Sequence, residues 1–111
     1  MTRLIVDGRD VAPVEIADTA RSRRRGLLGR DGIDGALWLR PCRHVHGLRM
    51  RFDLDIAHVT RSGHVIAVDV LRRNRLGSFQ RGTASIIEAE RGAFEQWGLV
   101  AGSHVAAEPA S

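Results

Sequence analysis

Apolar residues fall in short runs along this chain, separated by turns that glycine marks. Leu4-Ile5-Val6 and Val11 to Ile16 flank Asp7-Gly8. Asp-Gly between apolar runs predicts a β-hairpin, because both central residues tolerate the positive φ of a tight turn. Thr19 offers a side-chain oxygen to cap a helix over Ala20 to Leu28, with Gly29 as its left-handed C-terminal residue. Ala20, Leu27 and Leu28 recur there on one helical face, and Arg24 shares the stripe. Turns at Asp31-Gly32 and Asp34-Gly35 lead into a strand over Ala36 to Leu39, which Pro41 halts.

Cys42 to Phe52 is mixed and polar and reads as an ordered loop. Asp55 to Thr60 predicts a strand, Arg61-Ser62-Gly63 a hairpin turn, and His64 to Leu71 the returning strand. Val65, Ile66, Ala67, Val68, Val70 and Leu71 make that last strand apolar on both faces, so it is expected to be central and buried on both sides. Arg72 to Gly82, with four Arg and few apolar anchors, is expected to be the most mobile loop. Ser85 to Ala89 predicts another strand. Gly92 to Trp97 predicts a short helix presenting Phe94 and Trp97 on one face, stopped by Gly98. Ser103 to Ala107 closes the set, with Glu108 to Ser111 expected to fray. The fold class that follows is mainly β, a sandwich or partly closed barrel, with one or two short helices in a single domain over residues 1–111.

Composition narrows the function classes. At 111 residues and 43% hydrophobic, the chain is long enough to bury one core without staples and too apolar to be disordered. Cys42 is the only cysteine, which excludes an internal disulfide. All 17 basic residues are Arg, and the net charge is +4 with acids interleaved, so no strong phosphate-tracking surface is expected. Arg21 to Arg25 holds four Arg in five residues without interleaved aromatics, and it is read as a solvated helix face. No specific nucleic-acid partner is expected, only binding in the non-specific range of about 10⁻⁴–10⁻⁶ M. No apolar run approaches the roughly 18 residues of a membrane span. The first residues also lack an export-signal run, so the expected compartment is the cytoplasm.

Ala17-Asp18-Thr19 followed by Arg23-Arg24-Arg25-Gly26-Leu27-Leu28-Gly29-Arg30 resembles the opening signature of the family called domain of unknown function 192, also written UPF0127. His46 with Met50, Phe52, Leu54 and Asp55 is similar to the family's Met and apolar-Asp strand. Asp55-Ile56-Ala57, Ser62-Gly63 and Val65-Ile66 continue the pattern. Ile87-Glu88-Ala89, Gly92, Gly98-Leu99 and Gly102 are similar to its closing motif. The likeness runs from about Ala17 to Val105, with Ser103 where an Asp is common. It implies a compact, mainly β fold with short helices and no agreed biochemical activity. Many relatives carry an export signal, which this chain does not show.

Two groupings carry possible chemistry. Cys42-x-His44-x-His46 would place three side chains on one side of an extended strand, and thiolate with imidazole suits zinc or copper. A closed site needs a fourth ligand, for which His58, His64 or Asp55 could serve, and an open one needs a water; the alternative is a buried Cys beside two surface His. Neither a cofactor nor stoichiometric zinc is expected. The second grouping is a pocket lined by His46, Met50, Asp55 and Glu88 with Arg23 and Arg25 at its rim. Its alternative is a core Met with Asp55 held by an Arg, from Arg23, Arg25 or Arg30, or by backbone donors. A nucleophilic Cys42 would need activation by His44 or His46. No Gly-rich phosphate loop and no Ser-centred elbow is present. These features favour a non-enzymatic accessory module that binds an unidentified small molecule or protein segment. The alternative is a metal- or Cys-dependent enzyme built on Cys42, His44 and His46. No motif specifies an oligomeric state.

Overall fold

The structure, a computed structural model, describes residues 1–110. Its elements are β1 (Thr2–Val6), β2 (Arg9–Ala17), α1 (Ala20–Arg25), β3 (Ala36–Leu39), β4 (Leu54–Val59), β5 (Val65–Leu71), β6 (Ser85–Glu90), α2 (Ala93–Trp97) and β7 (Val105–Pro109). The seven strands form one sheet in the order β5-β4-β6-β3-β2-β1-β7. The fold is therefore mainly β with two short helices. All pairings are antiparallel except β2 with β3.

The first hairpin forms as its residues dictate: Asp7 and Gly8 take φ of 50° and 83°, the positive values a tight hairpin turn requires. Strand β2 serves two neighbours in succession. It pairs with β1 through Pro13 and with β3 from Val14 onward. The sheet curls so that its two outer strands touch at one end. Val65 N–H donates to Ser103 O at 2.9 Å, and Val105 N–H donates to Gly63 O at 2.9 Å. Past these bonds the edges part, which leaves an open barrel.

Alternation along the strands produces two cores. Leu4, Val6, Val14, Ala36, Trp38, Ala57, Val59, Ile87 and Ala89 point inward, where α2 adds Phe94 and Trp97 as a plug. Leu37, Leu39, Leu54, Ile56 and Ile86 point outward, under a layer made by Leu27, Val45, Met50 and Phe52 from the connecting segments. Strands β3, β4 and β6 are consequently buried on both faces.

Three expectations need correction. The doubly buried strands are β3, β4 and β6, whereas the returning strand β5 is an edge with Val70 47% exposed. An apolar run cannot say which strand the sheet places outermost, and β4 gives its second edge to β6. Helix α1 stops at Arg25, three residues before Leu28, because Gly26 leaves helical geometry at φ 50° and ψ −131°. The turn that follows sends Leu27 into the outer core, 1% exposed, so burial overrides the helical stripe. Finally, the last strand lies two residues later than expected and reaches Pro109. Thr2 pairs with Pro109 and Ala110 N–H donates to Met1 O at 2.8 Å, so β1 holds the segment expected to fray. Only Ser111 of that segment lies outside the described residues.

Candidate functional site

A cleft of about 170 Å³ opens on the outer face of the sheet. One wall is Arg23 to Leu28, the end of α1 and its turn; the other is Cys42, His44, Val45, His46, Leu48 and Met50 from the β3–β4 loop. Leu39 and Glu88 line it from the sheet.

Helix α1 stands here because its start is well capped and its end is tied down. Thr19 Oγ1 accepts from Ser22 N–H at 3.0 Å, and Ser22 Oγ accepts from Thr19 N–H at 3.1 Å, closing a capping box. Arg23 Nη1 donates to Asp18 O at 2.9 Å and to Arg40 O at 3.3 Å, which links the helix to the end of β3. The opposite wall is held by backbone bonds: Cys42 N–H to Ala84 O at 3.0 Å, Gly47 N–H to Arg75 O at 2.7 Å, and Gly77 N–H to Val45 O at 3.1 Å.

Glu88 dominates the chemistry of the cleft. It sits mid-strand in β6, opposite Leu37 of β3 and Ile56 of β4. It is only 4% exposed, and no hydrogen bond or ion pair from the described residues reaches its carboxylate. Burial disfavours the charged form, and the pKa rises from 4.5 to about 7. Its Oε1 lies beneath Gly26, 3.6 Å from where a β-carbon there would stand. A group with this pKa changes charge near neutrality and has hydrogen-bonding capacity to offer whatever enters.

Of the residues expected to share a pocket, Arg23, Arg25, His46, Met50 and Glu88 are brought together. Asp55 is not. One strand position separates the faces of β4, and Asp55 points toward α2 instead. Its Oδ2 accepts from Gly92 N–H at 2.9 Å and Phe94 N–H at 3.1 Å. The N-cap of α2 is Gly92, which has no side chain to cap with, so Asp55 supplies the oxygen from a neighbouring strand. Backbone donors, rather than an Arg, are its partners. Asp55→Ala is expected to destabilise the fold by about 1–3 kcal/mol, the range for stranding buried donors. Urea unfolding measures this, and a change near zero would contradict the capping role.

Cys42, His44 and His46 all border the cleft but do not converge. The segment is a loop, so the strand geometry that would align them is absent. Cys42 Sγ donates to His44 O at 3.4 Å, His44 Nε2–H donates to Gly77 O at 2.8 Å, and His46 Nδ1 accepts from Leu48 N–H at 3.3 Å. Among the described residues, no three His, Cys, Asp or Glu side chains are grouped to hold a metal ion. Burial pushes the Cys42 thiol up, and the nearby Glu88 adds to this. The thiol therefore stays protonated near neutral pH and makes a weak nucleophile. His58 lies elsewhere, 1% exposed on β4, with Nδ1 3.3 Å from Thr83 Oγ1 and Nε2 3.4 Å from Asp69 Oδ2. His64 forms an isolated bridge with His104.

Arg24, Leu28, Val45 and Leu48 also line the cleft, although the sequence reading omitted them from the pocket. Leu28 and Leu48 are 38% and 45% exposed, so the rim is partly apolar.

The family model for domain of unknown function 192, described as an uncharacterized ACR, matches residues 2–107. The chain belongs to this family. Two solved structures share the fold of this DUF192 chain. One is a protein of unknown function from Novosphingobium aromaticivorans, 20% identical, covering 94% of this chain and 83% of the other at a TM-score of 0.79. The second, from Sinorhizobium meliloti, is described as a candidate transcription regulator; it is 19% identical and covers 96% and 91% of the two chains at a TM-score of 0.70. At these identities the likeness concerns the fold alone. No curated protein sequence matches the DUF192 chain. No helix among its described residues is long and apolar enough to cross a membrane.

Proposed function

We propose that this protein is a non-enzymatic accessory module, acting in the cytoplasm, whose outer-face cleft binds a small molecule or a short partner segment through Glu88. The observation that carries this reading is the buried, unpartnered Glu88 carboxyl at a cleft. An acid left without a partner among apolar neighbours destabilises the fold. Such a group is explained when a bound molecule completes its hydrogen bonds. The matching ligand presents an amine, amide or hydroxyl to Glu88 and apolar atoms to Leu39, Val45 and Met50. Arg24 and Arg25 at the exposed rim favour a negative charge on its outer end.

The enzyme reading has less support. It needs a base beside Cys42, yet the Cys42 thiol donates to the His44 carbonyl rather than to an imidazole, and burial holds it in its protonated form.

A thermal-shift screen of amines, amino acids, short peptides and divalent metals tests the proposal. A ligand at 100 times its Kd stabilises the fold by about 2.7 kcal/mol. The expected hit is an organic donor whose shift disappears in Glu88→Leu. A hit that instead tracks Cys42 or His44, or elemental analysis showing one tightly held metal per chain, would overturn the module reading.

A further inference from the structure

The acids of this chain are unevenly placed. Residues 35–52, 56–68 and 70–87 contain no Asp or Glu, yet they carry Arg40, Arg43, Arg61 and Arg81 among other arginines. The fold brings these three acid-free segments to one end of the sheet, and Ala84 is where they meet. Cys42 N–H donates to Ala84 O at 3.0 Å, and Ala84 N–H donates to Val59 O at 2.8 Å. Arg43 follows Cys42 in one loop, Arg61 follows Val59 in the next, and Arg81 precedes Ala84 in the third. The third loop is braced by Thr83, whose hydroxyl donates to Gln80 O at 2.6 Å.

Between these loops lies a cleft of about 430 Å³ that Arg43, Arg61, Arg81 and Phe79 line together. A second cleft, about 560 Å³, adjoins it and shares Pro41, Arg61 and Ala84. Neither has a carboxylate in its lining. Among the described residues, Arg43, Arg61 and Arg81 make no ion pair, whereas Arg3, Arg30, Arg51 and Arg91 each do. In the adjoining cleft Arg40 lies 4.4 Å from the Trp38 ring centroid. Phe79 is 67% exposed, an unusual place for a ring this size. Three unpaired guanidinium groups suit an anion that accepts several planar, forked contacts, as phosphate does. An exposed ring beside them suits a planar partner that can stack. Both clefts fall within the roughly 300–1,000 Å³ range of ligand sites.

We propose that this end of the sheet binds a nucleotide unit, with its phosphates on Arg43, Arg61 and Arg81 and its base on the Phe79 ring. The site is separate from the Glu88 cleft, which lies on the outer face and shares no lining residue with it. The same chemistry is presented by a free nucleotide and by one residue of a single strand. Binding through stacking and charge alone carries no sequence preference.

The test is a calorimetric titration of the purified chain with ATP, inorganic pyrophosphate and a twelve-residue oligo-dT at two salt concentrations. ATP or the oligomer is expected to bind more tightly than pyrophosphate, and whichever of the two binds better identifies the source of the unit. Phe79→Ala is expected to weaken that ligand by at least about fivefold, the low end for loss of one stacked base, and to leave pyrophosphate unchanged. Arg43→Gln, Arg61→Gln and Arg81→Gln together should weaken all three ligands by about tenfold or more. A charge-matched control, Arg21→Gln with Arg49→Gln and Arg72→Gln, should have a much smaller effect. Thermal unfolding of each variant verifies that the fold is retained. The proposal is overturned by no detectable binding, by pyrophosphate matching both ATP and the oligomer, by an inert Phe79→Ala, or by a control triple that loses as much as the site triple.

Discussion

Between pH 4.5 and about 7 the folded state is expected to lose about 3 kcal/mol of stability through Glu88 alone. The pKa of this acid rises from 4.5 to about 7 on folding, because burial excludes the water that would solvate its charge. In that window the folded chain holds a proton that the unfolded chain has released. Stability then falls as pH rises, since the unfolded state binds fewer protons. The contribution is fully present below the unfolded value, declines through the window and is constant above the folded value. At 1.36 kcal/mol per pKa unit the shift corresponds to about 3 kcal/mol. His58 acts in the opposite direction: burial lowers its pKa below 6.5, so its contribution is lost on acidification. Urea unfolding of the wild type and of Glu88→Gln across pH 4 to 8, compared by difference, isolates the Glu88 term. Parallel pH profiles for the two proteins would rule it out. Glu88→Leu should be more stable than the wild type at neutral pH, by about 1–3 kcal/mol.

Leu27→Ala is expected to destabilise the chain by about 2–5 kcal/mol, the range for truncating a buried Leu. Its effect should concentrate on α1. No residue of that six-residue helix is buried, so the helix has no apolar face of its own to anchor it. Isolated helices shorter than about 12–15 residues are marginal in water even with good sequences. The attachment comes from Leu27, 1% exposed beneath the turn, together with the carbonyl contacts of Arg23. Amide exchange in residues 22–26 should therefore accelerate more than exchange in β3 or β6. A uniform rise across the sheet would show instead that Leu27 supports the core in general and not the cleft wall in particular.

Much of this architecture was legible because local rules and global fold agree. Asp7-Gly8 specified its turn, Thr19 its cap, and Gly98 the end of α2. The short apolar runs of β3, β4 and β6 marked strands, and the two cores explain why these strands are buried on both faces. Five of the residues grouped from the sequence, Arg23, Arg25, His46, Met50 and Glu88, also line one cleft in the fold. A titratable Glu88 in an otherwise apolar run, and a Met and His in a polar loop, break the local pattern, and such breaks commonly occur at functional positions.

Local signals along the chain specify the strand content, the hairpin and the two short helices. Local backbone preference and apolar period act over a few residues and need no knowledge of the rest of the chain. Tertiary structure decided which strand became the edge, because Asp55 to Thr60 could share only two neighbours and took Ser85 to Glu90 as one of them. It also decided that Asp55 caps α2, since a bond spanning 37 residues of sequence has no local signature. Cys42, His44 and His46 were separated for a related reason: their spacing would align them only in an extended strand, and the loop they occupy spends their polar atoms one by one on backbone groups. Conversely, Arg43, Arg61, Phe79 and Arg81 show no motif in the chain. They meet because three loops close around Ala84, and only the path of the sheet brings distant loops to one end.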